Sequence, residues 1–399
     1  MKISFVTDTY FPQANGVATT LERLVRGLRE RGHEVDVIRP SVLACDDEGL
    51  RVPSVGLPGY KEVRFGFPIR LVLQMRWSRN RPDVVYVATE TPLGASAISA
   101  ARALDIPAAS GFHTNFQQYA AHYQLPLLER ATMRYLRHVH NRSACTFVPS
   151  RDVIDSLKVS GFENLYLLPK GVDTRLFSPK KRDIQMRRKW GVRDGGLVGL
   201  YVGRIAAEKN LPLIVRTFTA IRQRIPDFKG VFVGDGPRLE GLKRDHPEFI
   251  YAGVQRGEEL AAHYASSDLF IFPSITETFG NVTLEAMASG LAVVAYDYAA
   301  AKQHIRNREN GFSVPFDDSE TFVATAILAA QSELTLIREE ARRSARKVRW
   351  KKVVRRFEKQ LKKLSEGLPP ELDGFTEDEE LTPAFEQRGE MQALKQSAN

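Results

Sequence analysis

Short apolar, β-branched runs alternate along this chain with longer stretches whose apolar residues recur every three to four positions, the pattern of a parallel α/β protein. The first half offers strands at Ile3–Val6, Glu34–Ile38, Val84–Val87, Ala108–Phe112, Thr146–Val148 and Tyr166–Leu168. The second offers Val198–Val202, Gly230–Val233, Phe249–Ala252, Leu269–Phe272, Ala292–Tyr296 and Gly311–Val314. Two such sets predict two doubly wound, Rossmann-like domains with a cleft at the carboxyl ends of both sheets. The join is expected between Lys170 and Asp194, where Gly171-Val172-Asp173 leads into a polar, charged stretch. The expected division is 1–172 and 173–345 for the two domains, 346–366 for a basic amphipathic helix, and 367–399 for an acidic, disordered tail.

In the third of these segments Trp350, Val353, Val354, Phe357, Leu361 and Leu364 recur at helical spacing with cations on the other faces. Two readings stay open for that helix: packing on the domains, or lying on a membrane surface. Length and charge adjust the picture only a little. At 399 residues and 43% hydrophobic content, two globular domains are ordinary. The net charge of +9 is unevenly spread. Arg338 to Lys363 holds thirteen Lys/Arg against three Glu, whereas Glu366 to Asn399 holds nine Asp/Glu against two Lys/Arg. Nucleic acid, anionic lipid and a nucleotide diphosphate each suit a basic surface. No run of eighteen apolar residues is present, and the opening apolar run is too short for a signal peptide. Cys45 and Cys145 stand far apart without metal-type spacing, as buried thiols of a reducing compartment do. The expected location is therefore the cytoplasm.

The stretch from Thr276 to Gly290 carries the most chemistry. It follows the Leu269–Phe272 strand and predicts a helix from Val282 to Ala288, with Asn281 as N-cap. Glu277 then falls in the loop before the helix and Glu285 about one turn inside it. Exposed amides at such a helix start favour an anion such as a diphosphate. A carboxylate on each side suits a ligand with phosphates in the middle and hydroxyls at both ends, the shape of a nucleotide sugar. Three more loops follow predicted strands. Asn15-Gly16-Val17 opens a helix, Gly111-Phe112-His113-Thr114-Asn115 brings a histidine to the cleft side, and Gly203-Arg204 through Lys209 brings two cations that suit a diphosphate. Taken singly, each has an ordinary structural explanation: a tight turn, a structural histidine, or an exposed ion pair of Glu208 with either cation. Gly234-Asp235-Gly236-Pro237 lacks the dinucleotide fingerprint, and no phosphate-binding P-loop, serine-nucleophile elbow or zinc motif occurs.

Together the motifs resemble the retaining glycosyltransferases of family 4, which have the GT-B fold. The likeness covers about residues 1–345, and Glu277-Thr278-Phe279-Gly280-Asn281 through Glu285-Ala286-Met287-Ala288-Ser289-Gly290 is its most specific part. Within the family the chain is most similar to bacterial enzymes that glycosylate lipids with mannose or glucose. The resemblance implies that the Gly16 amide, with Val17, lies near the donor phosphates and that His113 contacts the sugar near its reacting carbon. Arg204 and Lys209 would hold the diphosphate. Glu277 and the Phe279, Gly280 and Asn281 backbone would bind hexose hydroxyls, and Glu285 the ribose. It also implies a UDP- or GDP-sugar as donor substrate, no cofactor and no metal. One departure stands out: Asp297-Tyr298-Ala299-Ala300-Ala301 occupies a place where the family often has a Gly-Gly pair.

A lipid acceptor is expected from the basic stretches. Besides the C-terminal one, Leu127–Arg142 carries Arg130, Arg134, Arg137 and Arg142 among Leu128, Tyr135, Leu136 and Val139. Such a helix on the acceptor side would give peripheral contact with the inner face of an anionic membrane; the alternative is a solvated helix face. Other readings are a nucleotide-sugar epimerase of the same fold, transfer to a soluble or polysaccharide acceptor, a dehydrogenase, or a nucleic-acid binder that leaves the glutamate pair without purpose.

Overall fold

The structure, a computed structural model, describes residues 1–10, 13, 16–41, 49–57, 60–113 and 126–371, without the side chains of 57, 60–63 and 126–129. Residues 372–399, most of the acidic tail, lie outside the described residues, as do Asn15, Cys45, Thr114 and Asn115.

The first half forms β1 (Lys2–Val6), β2 (Glu34–Pro40), β3 (Arg51–Val52), β4 (Ser54–Leu57), β5 (Tyr60–Gly66), β6 (Val84–Val87), β7 (Ala108–Gly111), β8 (Cys145–Val148) and β9 (Leu165–Leu167). Seven of these make a parallel sheet in the order β3-β2-β1-β6-β7-β8-β9, while β4 and β5 form a separate antiparallel hairpin. The second half supplies β10 (Val198–Val202), β11 (Lys229–Val233), β12 (Ile250–Gly253), β13 (Leu269–Phe272), β14 (Ala292–Tyr296) and β15 (Phe312–Val314), ordered β12-β11-β10-β13-β14-β15. Both sheets are doubly wound, as the alternation of apolar runs and helices predicts. In each, the winding reverses at one point: between β1 and β6 in the first sheet, and between β10 and β13 in the second. The crevice outside the carboxyl ends of the strands at such a point is where open α/β sheets bind ligands.

The strand residues are buried on both faces, which is why the runs read as continuous rather than alternating. Buried Leu200, Phe218, Phe232, Phe270 and Val294 contribute to the second core. The first core has a contributor from the far end of the chain. The helix Trp350–Ser365 returns to the first sheet, and its Val353, Val354, Phe357, Leu361 and Leu364 pack with Ile3, Phe5, Leu21, Leu24 and Tyr86. Phe357 meets the ring of Tyr86 edge-on at 4.9 Å and that of Phe147 at 5.3 Å. Packing on the domains is therefore the outcome for this helix. Its apolar face has no surface left for a membrane.

The chain crosses between the halves twice, side by side. Val172 bridges to Arg349, and the Val172 amide donates to the Val348 carbonyl at 2.9 Å.

Candidate functional site

Two loops flank the reversal point of the second sheet. The one after β10 runs from Gly203 to Asn210 and is held from below by Gly234 and Gly236. A Cβ on Gly234, at φ +138°, would lie 1.9 Å from the Gly203 carbonyl oxygen. The Ile205 amide donates to the Asp235 carbonyl at 2.8 Å, and the Arg238 amide to that of Ile205 at 3.0 Å. The Gly234-Asp235-Gly236 segment thus serves close backbone contact, which agrees with its missing dinucleotide fingerprint.

The loop after β13 carries Glu277. Its Oε1 accepts from Lys209 Nζ at 2.5 Å and from Ser274 Oγ at 2.8 Å. Burial alone would raise this carboxyl, but Lys209, Ser274 and the nearby Lys170 outweigh it and hold the group below the usual glutamate range. Arg204 pairs with Glu208, Nη1 to Oε1 at 3.1 Å, and Thr276 Oγ1 donates to the Glu208 carbonyl at 3.0 Å, which ties the two loops together. The ion pair foreseen for Glu208 with either cation is thus with Arg204, and the Glu208 side of it is buried.

The helix runs Asn281–Ala288, and its N-cap is Gly280 at φ +86°, not Asn281. Gly280 takes the left-handed conformation without steric cost, and Asn281 occupies the first turn. There it faces the other domain: a Cβ on Gly16 would lie 3.6 Å from Asn281 Nδ2. The helices Gly16–Arg29 and Asn281–Ala288 therefore point their N-termini into one crevice, with Gly16 and Val17 opening the first. Two helix starts and two cations make a strong site for an anion.

Glu285 lies one turn along, where its Oε2 accepts from the Tyr264 hydroxyl at 3.0 Å. Burial lifts its pKa to about 7, against the pull of Tyr264 and of Arg23 on the opposing helix. Arg23 is itself paired with Asp173 at 2.9 Å. The two glutamates thus have opposite electrostatic settings, despite sitting eight positions apart.

The loop that departs from the family pattern still reaches the site. Tyr298 donates from its hydroxyl to the Glu277 carbonyl at 2.7 Å, and the Ala300 amide donates to the Phe279 carbonyl at 2.8 Å. Ala299 adopts φ +51°, a conformation that glycine holds without strain. The shape that a glycine would allow is kept here without one.

Across the crevice, His113 is 8% exposed at the end of β7. Its Nε2 shares a 2.7 Å hydrogen bond with the Tyr86 hydroxyl, and its Nδ1 is buried without a partner among the described residues. Burial first, then Lys170 and His140, bring the imidazole's pKa down to about 3, so the ring is neutral. Gly111 is what admits this pair: a Cβ there would sit 2.1 Å from the Tyr86 oxygen. Arg130, Arg134 and Arg137 are exposed on the helix Pro126–His140 and join none of these contacts.

Sequence reasoning left out Lys170, Tyr86, Ser274, Tyr264 and Tyr298. Of these Ser274 and Tyr298 had a local signal, Ser274 three residues before Glu277 in the same loop and Tyr298 in the stretch that departs from the family pattern. Among the described residues no group of three or more His, Cys, Asp or Glu could hold a metal ion.

Two facing doubly wound domains with cations, a carboxylate pair and opposed helix starts in the crevice define a glycosyltransferase of the GT-B class. The description Glycosyltransferase Family 4 matches residues 14–176, and Glycosyl transferases group 1 matches residues 196–332. A GDP-mannose-dependent alpha-mannosyltransferase of Corynebacterium glutamicum is 32% identical over 82% of this chain and 80% of its own. An alpha-monoglucosyldiacylglycerol synthase of Streptococcus pneumoniae is 31% identical over 74% of this chain and 71% of its own. Among solved structures, sucrose-phosphate synthase from Thermosynechococcus elongatus superposes with a TM-score of 0.74 at 18% identity, over 92% of this chain and 99% of that one. The chain belongs to glycosyltransferase family 4.

Proposed function

We propose that this glycosyltransferase moves a hexose from a nucleoside-diphosphate sugar to a lipid hydroxyl, with retention at the anomeric carbon and without a metal ion. The observation that carries the donor side is the set of Arg204, Lys209 and two helix N-termini facing one space, with Glu277 bonded to Lys209 and Glu285 one turn along the second helix. In this reading Arg204, Lys209 and the Gly16 and Val17 amides meet the diphosphate, so its charge is balanced by the protein itself. Glu277, with the Phe279–Asn281 backbone, receives the hexose hydroxyls, and Glu285 the ribose. Neutral His113 stands by the reacting carbon. GDP-mannose is the first donor to test, because the C. glutamicum relative is named for it.

The name of the S. pneumoniae relative supports the lipid acceptor, and so does one surface of the first domain. The helix Arg70–Arg79 buries Leu73 and Trp77 but leaves Leu71 73%, Val72 44% and Met75 57% exposed, next to Phe67 at 51%. From Arg64 to Pro82 there are five arginines and no acid. Apolar side chains interleaved with cations suit an anionic bilayer, at about 1 kcal/mol for each cation near the surface. Among the described residues no helix is long and apolar enough to cross a membrane. Peripheral contact through this helix fits the reading, and it adjoins the crevice: the Gly66 amide at the end of β5 donates to Asp8 Oδ1 at 2.5 Å.

The test offers UDP- and GDP-hexoses with total membrane lipid and identifies the product by mass. A hexosyl lipid is expected from one donor; hexose transfer to soluble acceptors alone would overturn the lipid reading. Leu71→Glu with Met75→Glu should abolish co-sedimentation with anionic vesicles while leaving thermal stability unchanged.

A further inference from the structure

Close to Glu277 lies a cation for which the donor contacts above have no role. Lys170, between Pro169 and Gly171, is 6% exposed. Its Nζ lies over the face of Phe279, 5.9 Å from the ring centroid, and it acts electrostatically on both Glu277 and His113. Among the described residues no hydrogen bond reaches the ammonium. Lys209 and Arg204, by contrast, are bonded, to Glu277 at 2.5 Å and to Glu208 at 3.1 Å. A buried ammonium without a bonded anion is costly, and such groups persist where a ligand supplies the missing charge.

Its placement is not slack. A Cβ on the neighbouring Gly171 would lie 2.7 Å from the Trp350 amide nitrogen, and Val172 is bonded to the returning chain at Val348. Lys170 thus sits on the crossover, with His113 and Thr20 of the first domain on one side and Glu277 and Phe279 of the second on the other. A small hollow of about 10 Å³, room for about one water, lies beside it, lined by Lys170, His113, Thr20, Leu24, Leu168 and Trp350.

We propose that Lys170 is a further catalytic residue, whose ammonium donates a hydrogen bond to the phosphate oxygen that departs from the anomeric carbon. The proposal rests on the donor-site reading above. In the transfer, the bond from the anomeric carbon to the phosphate oxygen breaks and its electron pair stays on that oxygen. The acceptor oxygen bonds to the carbon, and the hydroxyl proton passes to the departing phosphate. Lys170 keeps its own protons and supplies charge where charge develops. Arg204 and Lys209 belong to the second domain and Lys170 to the end of the first, so the cations reach the donor from both walls of the crevice. Burial brings this ammonium's pKa down to about 8, although Glu277 pulls it upward. The groups facing it are Glu277 with its bonded Lys209, and the neutral His113 with His140 behind it.

The experiment compares Lys170→Met and Lys170→Arg in the full chain. It reads kcat, donor KM, affinity for UDP and GDP by calorimetry, Tm, and the pH profile of kcat. Lys170→Met is expected to lower kcat about 100-fold with a much smaller change in donor KM. Wild-type kcat should fall as pH rises through about 8 and Lys170 loses its proton. Lys170→Arg, which stays charged, should lose that fall. The proposal is overturned if Lys170→Met keeps kcat within about threefold of wild type, or if Lys170→Arg shows the same alkaline fall. Should Lys170→Met not fold, the arginine profile decides. A wild-type chain that binds neither UDP nor GDP and transfers no hexose removes the donor-site reading instead. A chain that transfers equally well with and without Lys170 removes only the role given to Lys170.

Discussion

The two walls of the crevice are built on the same plan and differ in how their polar groups are satisfied. On the second-domain wall, Glu277 is bonded to Lys209 and Ser274, Arg204 to Glu208, and Glu285 to Tyr264. On the first-domain wall, Asp8 is engaged by Thr89, Thr91 and Gly66, but among the described residues Glu90 Oε1 next to it is buried without a partner, as is Nδ1 of His113. Both sets stand at the reversal points of their sheets, Asp8 and Glu90 after β1 and β6, Arg204 and Glu277 after β10 and β13. The charged groups of the second-domain wall are hydrogen-bonded before any ligand arrives, although Asn281 Oδ1 there is buried without a partner among the described residues. On the first-domain wall the unbonded groups include a carboxyl and an imidazole. A preorganised wall loses little on binding its ligand, so its residues should dominate the rate. An unsatisfied wall gains its bonds only when something fills it.

The largest effect should come from the assembled side. Glu277→Ala removes the carboxylate that neutralises Lys209, and it leaves Ser274 without its acceptor. Turnover is expected to fall by about 10²–10³-fold, the scale seen when one preorganised electrostatic partner is lost. Steady-state rates with saturating donor measure it. Turnover close to wild type would mean that the wall's internal bonding has no bearing on transfer.

The sequence made the strands of both walls legible because each is buried on two faces and reads as an unbroken apolar run. The β4–β5 hairpin was missed, since its two strands form a pair apart from the sheets and carry no such run. The C-terminal helix shows a different limit. The spacing of Val353, Val354, Phe357, Leu361 and Leu364 says that one face is covered, and it cannot say by what. Its partner is the first sheet, far earlier in the chain. The helix Arg70–Arg79 is the converse, with apolar side chains on its open face as well as its buried one, so no clean periodicity marks it. Glu277 with Glu285, and Arg204 with Lys209, were readable because each pair lies within one loop or helix start. Lys170 was not, because His113 and Glu277, which give it meaning, approach it only in the folded chain.

A second test contrasts the two glutamates within the assembled wall. Glu285→Ala should weaken donor binding about tenfold, the loss of one hydrogen bond to a charged group, with a smaller effect on turnover than Glu277→Ala. The pH dependence separates them further. With its pKa raised to about 7, Glu285 gains its charge as pH rises through neutrality, so donor affinity should tighten from pH 6 to pH 8 in the wild type. Glu277, held low by Lys209, is ionised throughout that range and contributes no such slope. Calorimetric titration of the donor at two pH values, with Glu285→Gln as the control, tests this. A slope that persists in Glu285→Gln would place the titrating group elsewhere.

The smallest effect, and the one that probes the unsatisfied wall directly, is on stability. Burial, and to a lesser degree Asp8, raise the Glu90 carboxyl to about 8, opposed by a bond from its own backbone amide. A carboxyl whose folded pKa lies above its unfolded one binds more protons in the folded state. Its contribution is therefore fully present below the unfolded value near 4.5 and is lost as pH rises through about 8. Glu90→Gln keeps the shape of the protonated acid and cannot ionise. At pH 5 the variant and wild type should melt within about 1 °C of each other. At pH 9 the variant should be the more stable by about 2 °C or more. Thermal unfolding at the two pH values decides it. Equal melting at pH 9 would mean that the folded protein already supplies the Glu90 carboxylate with the partner it lacks here, and the contrast between the walls would narrow to His113 alone.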